Sequence, residues 1–439
     1  MSSAMIKSVT WLLLYLLAVL TPIVLFMAGD VPPARGFWME FSVFLGFALL
    51  LMISIQFLLT GRFARIGQPF GVDVILQFHR HIGILLLCLL VAHPLIPMLL
   101  DSKYLEFLDP RVNFLRAVFL ILASVAMVLL IVLSVWRTAF GLSYEWWRIS
   151  HAALAAGVVV VGMAHAWQVG HYVEDWGKRM LLLAVGCTAV TLLIYVRLVR
   201  PWRMRRRPYQ VAEVREERGA STTVVLEPVG HPGMKFRAGQ YAWLTVGETP
   251  FTLQQHPFSF SSSDQDAPQR IEFTAKETGD FTSRLVNIDV GTPAFLEGPY
   301  GTFVLTDDAR GAVFIMGGIG ITPAISMLRS LRDRQDRRPL LLIYGNSNTK
   351  EIAFRKELAE LQQDLDLRVV HVLSDPDADW EGETGYVDRE LLERHLGEQE
   401  RQWSFFICGP EPLMDAAEEA LLEIGVALQQ IRAERFNMV

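Results

Sequence analysis

The chain has 439 residues, 52% of them hydrophobic and 20% charged, with a mean hydropathy of +0.31. It is too long for one ordinary domain and too apolar for an average soluble protein, so two or three domains are expected, one of them in a membrane. The net charge of −6 hides an asymmetry: residues 1–207 hold 18 Lys and Arg against 9 Asp and Glu, and the remainder 22 against 37. An acidic balance without a basic arm argues against a nucleic-acid partner, and 11% aromatic content argues against disorder. The three cysteines, Cys88, Cys187 and Cys408, form no Cys-x-x-Cys, so neither a disulfide framework nor a cysteine-ligated zinc or iron–sulfur site is supported.

About 20 apolar residues cross a bilayer, and apolar runs predict six such helices near residues 9–28, 39–60, 75–100, 114–136, 150–169 and 179–199. The first has Lys7 ahead of its apolar stretch, as a signal peptide has, but no small-x-small cleavage site follows, so a retained span is expected. Arg62, Arg65, Arg137, Arg148 and the run Arg197 to Arg207 fall on one side; Asp30, Asp101, Glu106, Asp109, Glu174 and Asp175 fall on the other. The positive-inside rule then puts both termini in the cytoplasm.

Six of the ten histidines lie in this half. His79 and His93 are 14 residues apart on the third span, and His151 and His165 are 14 apart on the fifth. Fourteen residues rise about 21 Å and make just under four turns, so the members of each pair face the same way. The third and fifth spans run in the same direction, from inside to outside, so His79 can face His151 at the inner level and His93 can face His165 at the outer level. Stacked imidazole pairs of this kind suit two b-type haems, one above the other, with histidine at both axial positions. A lone intramembrane histidine is more often a helix–helix hydrogen-bonding residue, but two matched pairs on co-directional helices favour ligands. A di-zinc or transport site from the same four side chains is the alternative, although levels about 21 Å apart do not make a two-metal centre. His81 lies about 200° around the helix from His79 and is expected to be structural or to contact a propionate.

Past Pro208 the pattern changes to short alternating strands at Tyr209–Val214, Thr222–Glu227, Tyr241–Val246 and Arg270–Thr274, which predict a small antiparallel β-barrel. From Ala312 it becomes strand, Gly-rich turn, helix, strand, helix, which predicts a parallel α/β domain. In the first turn, Gly317, Gly318 and Gly320 precede Thr322, expected as N-cap, and Pro323 at N1. Glycines there let backbone approach a pyrophosphate at a helix N-terminus, though such turns also simply close βα units.

The surrounding motifs stand in a definite order. They are His256-Pro257-Phe258-Ser259, then Lys276 to Leu285, then Glu297 to Gly301, the Gly-rich turn, Cys408-Gly409-Pro410, and the end at Glu434 to Val439. Together they resemble the ferredoxin-reductase-type flavin and nicotinamide module. With the six-helix, four-histidine half, nearly the whole chain resembles the NADPH oxidase and ferric reductase superfamily, most closely its short bacterial members. The resemblance implies a six-helix di-haem transmembrane domain at 1–200, an FAD-binding β-barrel at 208–306 and an NADPH-binding α/β domain at 310–439.

The resemblance also implies residue roles. Phe258 of the His256-Pro257-Phe258-Ser259 motif packs on the flavin and Ser259 hydrogen-bonds its ring. Lys276, Gly279, Thr282, Ser283 and Gly298 belong to the FAD site. Gly317, Gly318, Gly320 and Thr322 hold the nicotinamide dinucleotide, Cys408, Gly409 and Pro410 line the hydride path, and Phe436 covers the isoalloxazine until nicotinamide displaces it. Alone, Cys408 reads as a small buried hydrophobe and Phe436 as a core aromatic. After the second strand of the α/β domain stand Ser347, Lys350 and Arg355, with acid only at Glu351, which favours NADPH and leaves NADH open.

The implied activity is electron transfer from cytosolic NADPH through FAD and two haems to an acceptor across the membrane. Oxygen giving superoxide is the first choice, a ferric chelate the second, and a periplasmic redox partner the third. A histidine-lined metal transporter is the rival from another class and predicts no Soret band. Two departures from the family stand out: no aromatic residue lies between the paired histidines, and no calcium-binding loop precedes the first span. The absence of an Asn-x-Ser/Thr sequon points to a bacterial inner membrane.

Overall fold

The computed structural model describes residues 3–63 and 71–435 and divides near residue 200 into two compact units. In the first, six helices among the described residues are long and apolar enough to cross a membrane. They are α1 Ser3–Met27, α2 Phe37–Leu59, α3 Val72–Leu100, α4 Phe114–Val135, α5 Tyr144–Val169 and α6 Trp176–Ile194. The last continues through a π turn at Tyr195–Val199 and a final turn at Arg200–Arg205. Helices α5 and α6 begin before the apolar runs at 150 and 179, and their starts, like that of α4, are set by caps. The side chains of Asn113, Ser143 and Asp175 accept hydrogen bonds from the backbone N–H groups of Arg116, Trp146 and Lys178. Helix α2 is the central one: 56% of its most apolar window is buried, against 17% or less for the other five. Leucines and valines on those five remain exposed, as lipid-facing surfaces require.

The second unit contains two six-stranded sheets. The first is antiparallel, in the order β4-β3-β6-β1-β2-β5, formed by β1 Tyr209–Glu217, β2 Ser221–Pro228, β3 Tyr241–Val246, β4 His256–Ser259, β5 Ile271–Lys276 and β6 Pro293–Tyr300. A bridge between Phe260 and Phe273 brings its two edges together, so the sheet curls into a barrel around Val224, Leu226, Leu244 and Phe260. Strands β4 and β6 had not been anticipated. Pro257, Pro293 and Pro299 lie within them, and proline in an apolar run argues against a strand unless the strand tolerates a missing donor.

The second sheet is wholly parallel, in the order β10-β9-β8-β7-β11-β12. Its strands are β7 Ala312–Gly317, β8 Leu340–Asn346, β9 Leu367–Leu373, β10 Glu383–Thr384, β11 Ser404–Cys408 and β12 Ile431–Ala433. In this unit the helices are α7 Thr282–Leu285, α8 Thr322–Asp333, α9 Arg355–Asp364, α10 Arg389–His395 and α11 Glu411–Glu423. The strand order reverses between β7 and β11, and a ligand crevice in an open α/β sheet forms at such a switch point, beyond the carboxyl ends of the strands.

Candidate functional site

The four membrane histidines meet as two pairs. The ring centres of His79 and His151 lie 6.0 Å apart, and those of His93 and His165 lie 6.3 Å apart. A metal bound by two facing imidazoles needs about 2.0 Å of bond plus about 1.1 Å to the ring centre on each side, roughly 6.2 Å in all. Among the described residues no group of three or more His, Cys, Asp or Glu is placed to hold a metal, so each level brings two imidazoles together and no larger cluster.

Tautomers at three of the four rings are set by their neighbours. His79 Nδ1 donates to Gln56 Oε1 at 2.8 Å, and His93 Nδ1 donates to the Ser42 carbonyl at 2.7 Å. The Ser134 hydroxyl donates to the Leu130 carbonyl and accepts from Trp147 Nε1, so at 3.0 Å it accepts from His151 Nδ1 as well. A proton held on Nδ1 leaves the Nε2 lone pair free, which is the form a metal-binding imidazole takes. Gly46 on α2 lies against His93, where a Cβ would meet the ring at 2.7 to 3.0 Å. His81 donates from Nδ1 to Gln77 O on its own helix and is not part of either level.

At the switch point the two nucleotide motifs are in contact. The Gly-rich turn follows β7 and the Cys408-Gly409-Pro410 turn follows β11, whose partner strand is β7. A Cβ at Gly320 would sit 2.5 Å from the Cys408 carbonyl oxygen, one at Gly409 would sit 2.9 Å from Gly317 N, and one at Gly317 would meet Pro410 at 2.7 Å. These glycines are therefore required by the approach of two backbones, before any ligand is considered. Gly318 alone needs its freedom for conformation, with φ of +51°. Thr322 differs from its expected role. It is the first residue of α8, and its hydroxyl donates to the Ile319 carbonyl, because Gly318–Ile321 already forms a 3₁₀ turn that leads into the helix. The Cys408 thiol is fully buried, and its pKa is pushed up by burial and by the nearby Glu434 carboxylate.

In the barrel, His256 stacks on Phe281 with ring centres 4.2 Å apart, and Phe258 lies 6.0 Å from the same ring. Ser259 pairs with Tyr241 across β3 and β4, on the strand face opposite Ala242 and Phe258. Its hydroxyl is buried and has no hydrogen-bond partner among the described residues. The Thr282 hydroxyl accepts from the N–H groups of Thr278 and Gly279, while Ser283 Oγ donates to the Gly279 carbonyl, so this loop is locked upon itself. Gly298 lies against Ala242, with a Cβ position 3.0 Å from that residue's own. Lys276 Nζ pairs with Glu351 at 2.5 Å, joining the end of β5 to the segment after β8. Ser347 and Arg355 are exposed beyond the end of β8, and Phe436 lies outside the described residues.

A buried ionic joint holds the barrel to the α/β domain. Arg329 on α8 grips Glu357 with Nε at 2.6 Å and Nη2 at 2.8 Å, and reaches Glu272 on β5 with Nη1 at 2.9 Å. Beside it, Ser326 Oγ donates to the Ser262 carbonyl and Ser330 Oγ accepts from Asp264 N. Sequence reading missed this joint and also missed Gln56, Ser134, Ser42, Gly46 and Phe281. Gln56 carried a signal that was available: an amide inside an apolar span is costly there and needs a partner.

Three families match along the chain: the ferric reductase like transmembrane component at residues 45–163, an FAD-binding domain at 221–304 and the oxidoreductase NAD-binding domain at 314–419. The chain is 30% identical over 228 residues to the xylene/toluene monooxygenase electron transfer component of Pseudomonas putida, covering 51% of this chain and 63% of that protein. It is 27% identical over 239 residues to the flavohemoprotein of Bacillus subtilis, covering 53% and 59%. It thus spans less than two thirds of the length of these relatives. Among solved structures it is similar to the FAD/NAD-binding domain of nitric oxide dioxygenase from Vibrio cholerae, at 24% identity and a TM-score of 0.47 over 52% of this chain and 97% of that one. With a ferric reductase like transmembrane component followed by FAD-binding and NAD-binding oxidoreductase domains, the chain has the architecture of the NADPH oxidase and ferric reductase superfamily.

Proposed function

We propose that this protein carries electrons from cytosolic NADPH, through FAD and two b-type haems, to an acceptor on the far side of a bacterial inner membrane, with oxygen giving superoxide as the first acceptor. The observation that carries this reading is the pair of histidine levels, with ring spacings of 6.0 and 6.3 Å that suit a metal between two Nε2 atoms. When bound, FAD splits a hydride into single electrons and the haems relay them across the hydrocarbon. His79 with His151, and His93 with His165, would hold one haem at each level. The Nδ1 partners Gln56, Ser134 and Ser42 keep three of these rings from rotating.

The residues in the second unit fit their cofactors in kind. The unpartnered Ser259 hydroxyl is a ready hydrogen-bonding group for a flavin ring, on the β4 face opposite Phe258. The turns after β7 and β11 meet at the switch point, where the backbone N–H groups of a Gly-rich loop and a helix N-terminus favour a pyrophosphate. Glu351, the acid that could oppose a 2′-phosphate, is neutralised by Lys276, and Ser347 and Arg355 stand exposed nearby, which favours NADPH. Two histidines at each level would occupy both positions that a haem iron offers to protein or substrate, so an acceptor would be reduced without binding iron. A ferric chelate or a periplasmic redox protein can be reduced in the same way.

The test uses purified, cofactor-loaded full-length protein with NADPH. A Soret band and two haems per chain are expected, with cytochrome c reduction that requires oxygen and is abolished by superoxide dismutase. Slow oxygen turnover with fast anaerobic ferric-chelate reduction would reassign the acceptor to iron. Protein without a Soret band ends the di-haem reading altogether.

A further inference from the structure

The two histidine levels match in most respects. Their ring spacings differ by little, and their interplanar angles are 67° and 68°. What separates them is Nδ1. At the first level both Nδ1–H groups are held by side chains, His79 by Gln56 and His151 by Ser134. The Ser134 proton is committed to Leu130 O at 2.6 Å, so this hydroxyl meets His151 only as an acceptor. At the second level His93 Nδ1 donates to the Ser42 carbonyl at 2.7 Å, with Ser42 Oγ a longer 3.3 Å from the same nitrogen, and His165 Nδ1 is buried with no partner among the described residues, so only one of the two rings is held.

An Nδ1–H···O bond pushes electron density toward Nε2 and makes it a better donor. A ferric ion gains more from that than a ferrous one, so each such bond lowers the reduction potential of the iron it serves. Building on the di-haem reading above, we infer that Gln56 and Ser134 are positioning residues that hold the first-level haem below the second in potential, so that electron flow across the membrane is downhill. One electron passes between the levels: the first iron goes from ferrous to ferric as the second goes from ferric to ferrous, and the Nδ1 protons stay in place.

Spectroelectrochemical titration of the full-length, haem-loaded protein resolves two midpoints and tests this. Gln56→Leu and Ser134→Ala are each expected to raise the lower midpoint while leaving the higher one in place. The expected size is roughly tenfold in the reduction equilibrium, which is about 59 mV for one electron. Gln56→Glu is expected to lower the same midpoint, since a carboxylate is the stronger acceptor. Opposite shifts at one position are not produced by a packing defect. If Gln56→Leu does not retain haem, Gln56→Glu and Ser134→Ala carry the test. Two haems per chain with both midpoints unmoved in those variants, or a shift of the higher midpoint instead, overturns the inference and leaves the di-haem reading standing. Wild-type protein that binds no haem overturns both.

Discussion

Replacing Gly46 with alanine drives a methyl group into the ring of His93. A Cβ at Gly46 would lie 2.7 Å from Cε1, 2.9 Å from Nδ1 and 3.0 Å from Nε2 of that histidine. Ordinary carbon contacts are about 3.5 to 4.0 Å, so the ring must retreat by roughly 0.5 to 1 Å. It has little freedom to do so, because Nδ1 is tied to the Ser42 carbonyl at 2.7 Å and a shift of that size takes the bond beyond its normal range. Overpacking of this kind costs about 1 to 3 kcal/mol, which depopulates the present ring position about 5- to 150-fold. Gly157→Ala, on α5 between His151 and His165, is the control: the site is exposed and a Cβ there meets nothing within 4 Å. Haem content by pyridine haemochromogen, with flavin content and flavin reduction by NADPH measured in parallel, reads the outcome. Gly46→Ala is expected to lose one haem of two with the flavin half intact, and Gly157→Ala to lose none. Two haems and a wild-type spectrum in Gly46→Ala would refute the reasoning.

Arg329→Met removes the central cation of the joint and is expected to destabilise the second unit by about 2 to 3 kcal/mol, below the about 3 to 5 of a fully broken buried pair, because Glu272 keeps Arg215 and Arg270. An unchanged temperature of flavin release would count against that joint. Ser259→Ala removes a buried hydroxyl that has no partner, so stability without flavin should change by less than about 0.5 kcal/mol while FAD dissociates faster. Equal FAD retention in this variant would show that the hydroxyl does not face the flavin. His371 on β9 is held down to about 4 by burial and by Arg355, below its usual 6.5. The unfolded chain therefore takes up that proton first as the pH falls. The stability contributed by neutral His371 is complete above about pH 6.5 and drains by roughly 3 kcal/mol as the pH drops to about 4. His371→Gln should flatten that acid slope in urea unfolding, and a slope identical to wild type contradicts the assignment.

Six spans, the face shared by His79 and His93, and the change from barrel to α/β pattern at Ala312 were all legible along the chain. Each follows from a property of one segment: the length that hydrocarbon demands, the pitch of a rigid helix, or the period of apolar residues. Strands β4 and β6 were hidden because Pro257, Pro293 and Pro299 mask a strand pattern whose pairing becomes visible only when the neighbouring strand is known. The Nδ1 partners were hidden for a related reason. Gln56, Ser134 and Ser42 sit on other helices, 23, 17 and 51 residues from their histidines, and helices that are apolar all round carry no record of their own rotation. Only packing sets the relative height and angle of two helices. The same holds at the switch point, where backbone contact among Gly317, Gly320, Cys408 and Gly409 depends on the adjacency of β7 and β11. Thus the residue types of this site were determined by the sequence, whereas the tautomers, the pairing and the difference between the two levels were decided by tertiary structure, because each depends on two segments at once.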